Sequence, residues 1–352
     1  MNFQDTSLDE FLSLVAEYKH LGIDRQVNYD KYSLYSLVTH STAIEGSTVT
    51  EVENQIMFEQ GLAIQGKTLV EQHMNLDLKV AYEVSQKWAQ DHNPVSVEFL
   101  KLLAAQVMKN TGQVYNTALG TFSSSQGDFR LLNVTAGVGG RSYMNYSKVP
   151  DKVKNLCAWI NEARENTSQM SMVEKYNVSF DAHYELVTIH PWADGNGRMG
   201  RLLMNHLQFE FGLIPSRITK DDKEEYIKAL VQTRESEDYD LFRRFMVRNM
   251  IKNLKADIAG YLQSVKIDAT HKFHVSDAQI FSSQDNYKIS CRINGERQLG
   301  VVLSSSDKQD WDNIRLSNDA SRQEAFKQHL AEKYFGAACK EAQALDTPGH
   351  IK

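Results

Sequence analysis

His190-Pro191-Trp192-Ala193-Asp194-Gly195-Asn196-Gly197-Arg198-Met199-Gly200-Arg201 is the stretch on which the reading turns. Pro191 disfavours a helical conformation at the residue before it, so the helix leading in should stop at His190. Two glycines bracket Asn196 in a tight turn, and a new helix is expected from about Arg198 to Phe211, with Gly212 as its cap and Pro215 beyond it. Glycine lets backbone approach a ligand closely. The first amides of a helix have no internal partners and sit at the positive end of its dipole, which makes an anion site suited to phosphate. Arg198 and Arg201, three apart, share a helix face. Their forks bind phosphate oxygens through paired hydrogen bonds. Asp194 is a hard oxygen ligand suited to a Mg2+ that keeps phosphates and waters. His190 can act as a general base near neutral pH. Base, metal ligand, anion nest and arginines within one short stretch describe a nucleotide phosphate site.

Working outward, Ser171-Met172-Val173-Glu174 reads as a capping box that opens a strong helix, with Val173, Tyr176, Phe180, Tyr184 and Val187 as its apolar stripe. Those aromatics, with Trp192, read as core, and His183 on the same helix reads as structural. Upstream, Ser7-Leu8-Asp9-Glu10 and Thr50-Glu51-Val52-Glu53 are further capping boxes. A helix is expected from after Asp30 to Gly46, and others over Asn75–Asp91, Ser96–Lys109 and Asp151–Asn166. Gly112–Pro150 is rich in Gly, Ser, Thr and Asn. There, Phe129–Val134 and Arg141–Tyr146 flank Gly137-Val138-Gly139-Gly140, which predicts a loop with a small hairpin. A plain connecting loop also fits these residues.

After about Val265 the pattern changes. Tyr287–Ile293 and Arg297–Leu303 flank Asn294-Gly295-Glu296, a hairpin signal, and a helix is expected around Arg322–Ala342. This tail reads as a small α+β module. The expected division is an N-terminal helical region over 1–90, a catalytic core over 91–265 and an accessory module of unassigned role over 266–352.

Composition limits the classes of function. The chain has 352 residues, 41% apolar and 24% charged, with 39 Lys+Arg against 45 Asp+Glu and a net charge of -6. That balance argues against broad nucleic-acid binding, which needs a basic face. Cys157, Cys291 and Cys339 are far apart and lack metal-site spacing. The first residues are acidic where a signal peptide is basic, and no apolar run reaches the roughly 20 residues of a membrane span. The expected location is cytoplasmic, with no membrane association, and export without a cleaved signal stays open.

The central stretch closely resembles the signature of Fic-domain proteins, H-P-F-x-D/E-G-N-G-R-x-x-R, with Trp192 in place of Phe. The resemblance spans roughly Tyr35 to Asn249 and does not cover the tail. It implies a mainly α, antiparallel helical bundle with a small β-hairpin flap. It also implies transfer of AMP from ATP to a protein hydroxyl on Ser, Thr or Tyr. By the same resemblance His190 deprotonates that hydroxyl and Asp194 holds Mg2+. Gly195, Asn196 and Gly197 line an anion hole, while Arg198 and Arg201 contact the β- and γ-phosphates. Arg141, Ser142, Tyr143 and Met144 would form the flap edge that receives the target. Ser41-Thr42-Ala43-Ile44-Glu45-Gly46 is similar to the family's inhibitory motif, S/T-x-x-x-E-G/N, placed N-terminal to the signature. Glu45 falls at the predicted end of its helix, where a negative charge is unfavourable unless an arginine offsets it. A homodimer is a further implication. Two rival readings are removal of AMP at the same site and a nucleotide-binding regulatory protein with little catalysis.

Overall fold

The computed structural model describes residues 5–136, 142–270, 275–283, 286–293, 296–297, 301–317 and 319–346. The chain divides into two compact units, Met1–Ile258 and Ala259–Lys352. In the first, helices α1 (Asp5–His20), α2 (Tyr29–Ile44), α3 (Glu51–Gln60), α4 (Leu69–Gln90) and α5 (Val97–Val107) lead to a hairpin of β1 (Val114–Thr117) and β2 (Gly120–Ser123). Then follow α6 (Val149–Glu165), α7 (Met172–Ile189), α8 (Asn196–Glu210), α9 (Lys223–Ser236) and α10 (Tyr239–Thr270), the last continuing past the unit boundary.

Caps set several of these helix starts. Thr50 and Ser171 each accept from the backbone N–H three residues on and receive the reciprocal carboxylate of Glu53 and Glu174. The same device at Thr68 and Glu71 starts α4 six residues before the expected Asn75. Ser7–Glu10 does not open a helix, because α1 already runs from Asp5. Carboxylates in a first turn suit the positive end of the dipole wherever in that turn they fall.

Helices α7 and α8 form the centre, packed on each other and with α8 against α4. The α7 stripe is buried at Tyr176, Phe180, Tyr184 and Val187, and Leu202, Leu203 and Leu207 of α8 are fully buried. Each such side chain contributes about 1.5–3 kcal/mol, enough in sum to fix the helix faces around the turn between α7 and α8. Trp192 fills that turn from within. It is 1% exposed and donates its indole N–H to the Gly127 carbonyl at 3.1 Å.

The β content of this unit differs from expectation. The regular hairpin is β1–β2, in register from Val114↔Ser123 to Thr117↔Gly120, with Tyr115 and Phe122 stacked across the strands. Residues 129–136 and 142–146 form no regular strand. They are joined by the bridge Thr135↔Ser142 and by Tyr143 N–H donating to the Val134 carbonyl. The turn expected at Gly137–Gly140 falls, with Arg141, outside the described residues. The Thr117-Ala118-Leu119-Gly120 turn closes with Gly120 at φ +125°, a conformation open to glycine without a Cβ penalty.

In the second unit, β3 (Val275–Ser283) pairs antiparallel with β4 (Asn286–Ile293), and β4 also pairs with β5 (Glu296–Arg297) and β6 (Val301–Val302). Helices α11 (Ser305–Arg315) and α12 (Ala320–Asp346) follow, with α12 packed on β3 and β4. The expected strand at Tyr287–Ile293 and the expected helix at Arg322–Ala342 lie within β4 and α12. Asn294-Gly295 lies outside the described residues. β3 and α11 were not anticipated.

Candidate active site

The turn between α7 and α8 is where the site residues gather. His190 ends α7 in the left-handed region at φ +52°, with its N–H on the Leu186 carbonyl. A non-glycine residue held there is uncommon and needs support from its surroundings. That support is Arg130, which is 1% exposed and whose Nε donates to the His190 carbonyl at 2.7 Å. The His190 imidazole faces the Val187 carbonyl through Nδ1 at 3.4 Å. A proton on Nδ1 leaves Nε2 as the basic nitrogen. Burial pulls the ring's pKa down to about 4; the Val187 contact and Glu45 oppose that, and Arg130 and Arg234 add to it. The Tyr143 ring stacks on the imidazole with centroids 3.7 Å apart, and Arg234 lies 5.0 Å from the centroid of the Tyr143 ring.

Gly195, at φ +81°, turns the chain into α8, which begins at Asn196. The Asn196 side chain is committed to the turn, donating to the Trp192 carbonyl at 2.8 Å and accepting from the Trp192 N–H at 3.1 Å. What Asn196 and Gly197 present outward is therefore backbone. Asp194 is 64% exposed at its side chain, and its Oδ1 accepts from the Gly195 N–H at 2.6 Å.

Two arginines line this end of α8. Arg198 is 3% exposed, with Nη1 3.4 Å from the Val107 carbonyl, Nη2 3.1 Å from Met108 Sδ and 3.8 Å from Asp194 Oδ1. Its Nε is buried without a hydrogen-bond partner. Burial holds its pKa below the usual arginine value. A guanidinium buried with such weak partners is costly unless an anion completes its shell.

Arg201 is better satisfied. Nε donates to Ser41 Oγ and Nη2 to the Ser41 carbonyl, each at 2.9 Å, and Nη2 also donates to Glu45 Oε1 at 2.6 Å. Ser41 and Glu45 are one helical turn apart, so both meet the same guanidinium. Burial alone would raise the Glu45 carboxyl, but Arg201, Arg198 and Lys223 outweigh it and hold the group below its usual range. Burial likewise works against the Arg201 charge, and Glu45 with Tyr226 keeps that charge secure. Tyr226 is near enough to Arg201 to favour its charge, and its hydroxyl lies 2.9 Å from His183 Nε2, so His183 sits one residue behind the arginine. The end of α2 is anchored by Asn75, whose Oδ1 accepts from Thr42 Oγ1 and Asn54 Nδ2 and whose Nδ2 donates to Ser47 Oγ.

Gly197 shows how close Glu45 comes to the helix start. A Cβ there would lie 2.5 Å from Glu45 Oε1 and 3.2 Å from Arg201 Nη1. The carboxylate thus rests over the first turn of α8, beside Arg198 and Arg201. Of the expected flap residues, Ser142 sits in the bridge to Thr135, Tyr143 covers His190, Met144 packs on the main core, and Arg141 lies outside the described residues. Sequence reasoning missed Arg130, Tyr226 and Arg234, because none belongs to a motif; Tyr226 falls on the buried face of α9 with Ala229, Leu230 and Thr233, where it reads as core.

A helical frame thus holds a histidine beside a glycine-opened, arginine-lined helix N-terminus, an arrangement suited to an anion. Residues 94–208 match the Fic/DOC family, and the chain carries a Fic/DOC domain. It is 26% identical over 294 residues to protein adenylyltransferase fic-1 of Caenorhabditis elegans, a match covering 83% of this chain and 52% of that protein. The chain thus spans about half the length of the curated relatives it matches first. Among solved structures it is similar to a fragment of Fic-1 from C. elegans (TM-score 0.58, 23% identity, 74% of this chain and 73% of that one). A second similar structure is a Fic-domain-containing signaling protein from Bacteroides thetaiotaomicron (TM-score 0.57, 20% identity, 72% of this chain and 94% of that one). These likenesses are in the helical fold. No helix among the described residues is long and apolar enough to cross a membrane.

Proposed function

We infer that the chain is a protein adenylyltransferase, moving AMP from ATP to a side-chain hydroxyl of another protein, and that Glu45 restrains it. The observation that carries this reading is Arg198: a buried guanidinium with an unpartnered Nε, beside the open amides of α8 and close to a histidine whose imidazole is held neutral. Such an arrangement suits an anionic ligand together with a base. The names of the curated relatives point the same way.

The triphosphate would lie along the first turn of α8. Backbone N–H groups of Asn196 and Gly197 face it, with Arg198 on the β-phosphate and Arg201 on the γ-phosphate. Nε2 of His190 takes the proton of the target hydroxyl. The hydroxyl oxygen forms a bond to the α-phosphorus, the bond to the bridging oxygen breaks, and pyrophosphate leaves with that electron pair. Positioning and charge neutralisation would supply most of the rate. Asp194 is suited to Mg2+: one exposed carboxylate is enough for an ion that keeps several waters and takes its other ligands from phosphates. When bound, Mg2+ would neutralise charge on the phosphates. A target segment running beside Ser142–Met144 would gain main-chain hydrogen bonds with little sequence demand. In the resting state the Glu45 carboxylate lies over the Gly197 turn and engages Arg201, so the arginine is unavailable for the γ-phosphate. Residues 266–352 are assigned an accessory role.

The test is label transfer. A Glu45→Gly variant incubated with a lysate should attach phosphorus from α-labelled ATP to protein, and none from γ-labelled ATP. Transfer of the γ-label instead would replace this reading with a kinase, and nucleotide binding with no transfer would leave a regulatory nucleotide-binding protein.

A further inference from the structure

We propose that Arg130 is a positioning residue for His190 and that it joins the flap base and the histidine into one mechanical unit. This deepens the adenylyltransferase reading, on which the meaning of His190 rests.

The guanidinium is buried and bonds only to main-chain carbonyls in the contacts described. Nε donates to His190 and Nη1 to Leu132, each at 2.7 Å. Nη2 donates to Met144 and, at 3.5 Å, to Ile189. The Arg130 backbone N–H adds a bond to the Pro191 carbonyl at 3.0 Å. Three consecutive carbonyls at the end of α7 thus converge on one residue. The last carbonyls of a helix lack internal partners and carry the negative end of its dipole, so a cation there is favourable. That charge offsets the left-handed backbone at His190, which no glycine relieves.

The remaining two bonds reach the two segments bridged at Thr135↔Ser142, at Leu132 and Met144. The residue between Met144 and the bridge partner Ser142 is Tyr143, whose ring lies on the imidazole. Arg130 therefore holds the His190 backbone from one side and the base of the element that covers its ring from the other. A target segment pressing on Ser142–Met144 would act on a histidine already fixed in orientation. A lysine could reach one of these carbonyls but could not fork among them, because its ammonium is a point charge.

The test uses Arg130→Lys and Arg130→Gln in the full chain, read by three measurements. The Cε1–H resonance of His190, assigned by its loss in His190→Ala, reports ring orientation without any catalysis. Amide exchange at Tyr143 and His190 reports the unit, and direct ATP binding reports the anion site. The proposal expects the His190 resonance to shift and broaden, exchange at both amides to rise at least tenfold, and ATP affinity to stay within about threefold. In a Glu45→Gly background kcat should fall far more than the KM for ATP changes. An unaltered His190 resonance with unaltered exchange at both amides in a folded variant would overturn it. So would loss of ATP binding in step with the other effects. If adenylyl transfer itself proves absent, the resonance and exchange results still decide the positioning role. If neither variant folds, native-state exchange on the unaltered chain decides: the amides of Arg130, Tyr143 and His190, bonded to Pro191, Val134 and Leu186, must open together with one common free energy. Independent opening would show that no such unit exists.

Discussion

Nη2 of Arg201 donates to Oε1 of Glu45 across 2.6 Å, joining two residues 156 positions apart in the chain. The arginine is buried, while the Glu45 side chain keeps 35% of its surface exposed. The pair is therefore reachable from outside. A ligand or partner that displaced the carboxylate would leave Arg201 still held by Ser41.

The pH dependence of transfer should reveal the environment of His190. Its pKa lies near 4, so the neutral ring persists well below the usual imidazole range. The acid limb of kcat/KM in the free enzyme should fall below pH 6.5. Removing Glu45, whose charge favours the protonated ring, should move that limb lower still. His190→Ala should lower transfer by about a hundredfold or more while ATP binding is kept. A limb at pH 6.5 or above, or near-normal transfer by the alanine variant, would remove this histidine from its assigned role.

Asp194→Ala should lose most Mg2+-dependent transfer, since no other carboxylate stands in the turn. Direct titration with Mg2+ in the presence of ATP should show weaker metal binding. Activity that persists in EDTA would count against the metal role of Asp194.

Gly197→Ala should obstruct the start of α8. The added Cβ would stand where the Glu45 carboxylate now rests. Made in a Glu45→Gly background, it should weaken ATP binding at least tenfold, because the same atom then meets phosphate. Unchanged ATP affinity, measured by calorimetry, would place the nucleotide elsewhere.

Stability should fall as the solution is acidified through the histidine range. His183 and His206 are fully buried, and burial lowers their pKa values to about 3 and about 4. Between those values and 6.5 the unfolded chain binds more protons than the native one, so stability is lost as pH falls. From pH 7.5 to 5.5, above most carboxylate titration, each should cost roughly 1.4 kcal/mol. Urea unfolding at the two pH values measures this, and an unchanged midpoint would contradict it.

Much of this site was legible because its parts are local. Pro191 stops α7, glycines shape the turn, and the spacing of Arg198 and Arg201 sets their shared face. The four-residue interval from Ser41 to Glu45 likewise anticipates two side chains on one side of a helix. What escaped depends on distant contacts. The left-handed backbone at His190 is held by Arg130, sixty residues upstream, and an arginine in irregular chain looks like any solvated charge. The β1–β2 turn lacks an Asn-Gly pair, so its strands were not separated from the surrounding loop. His183 seemed a core residue and is one, yet through Tyr226 it also stands behind Arg201.

The central claim is that Glu45 holds Arg201 away from the nucleotide. The direct measurement is incorporation of α-labelled AMP by the unaltered chain, by Glu45→Gly, and by Glu45→Gly with Arg201→Ala. A displacement of roughly 1 Å at a reacting centre can cost about a hundredfold in rate. The account therefore predicts a strong rise, on the order of a hundredfold, in the single variant, self-modification included. It predicts loss of that gain in the double variant, because the freed arginine is then missing. Equal incorporation by the unaltered chain and Glu45→Gly would contradict it and leave Glu45 as a helix-end charge that happens to meet an arginine.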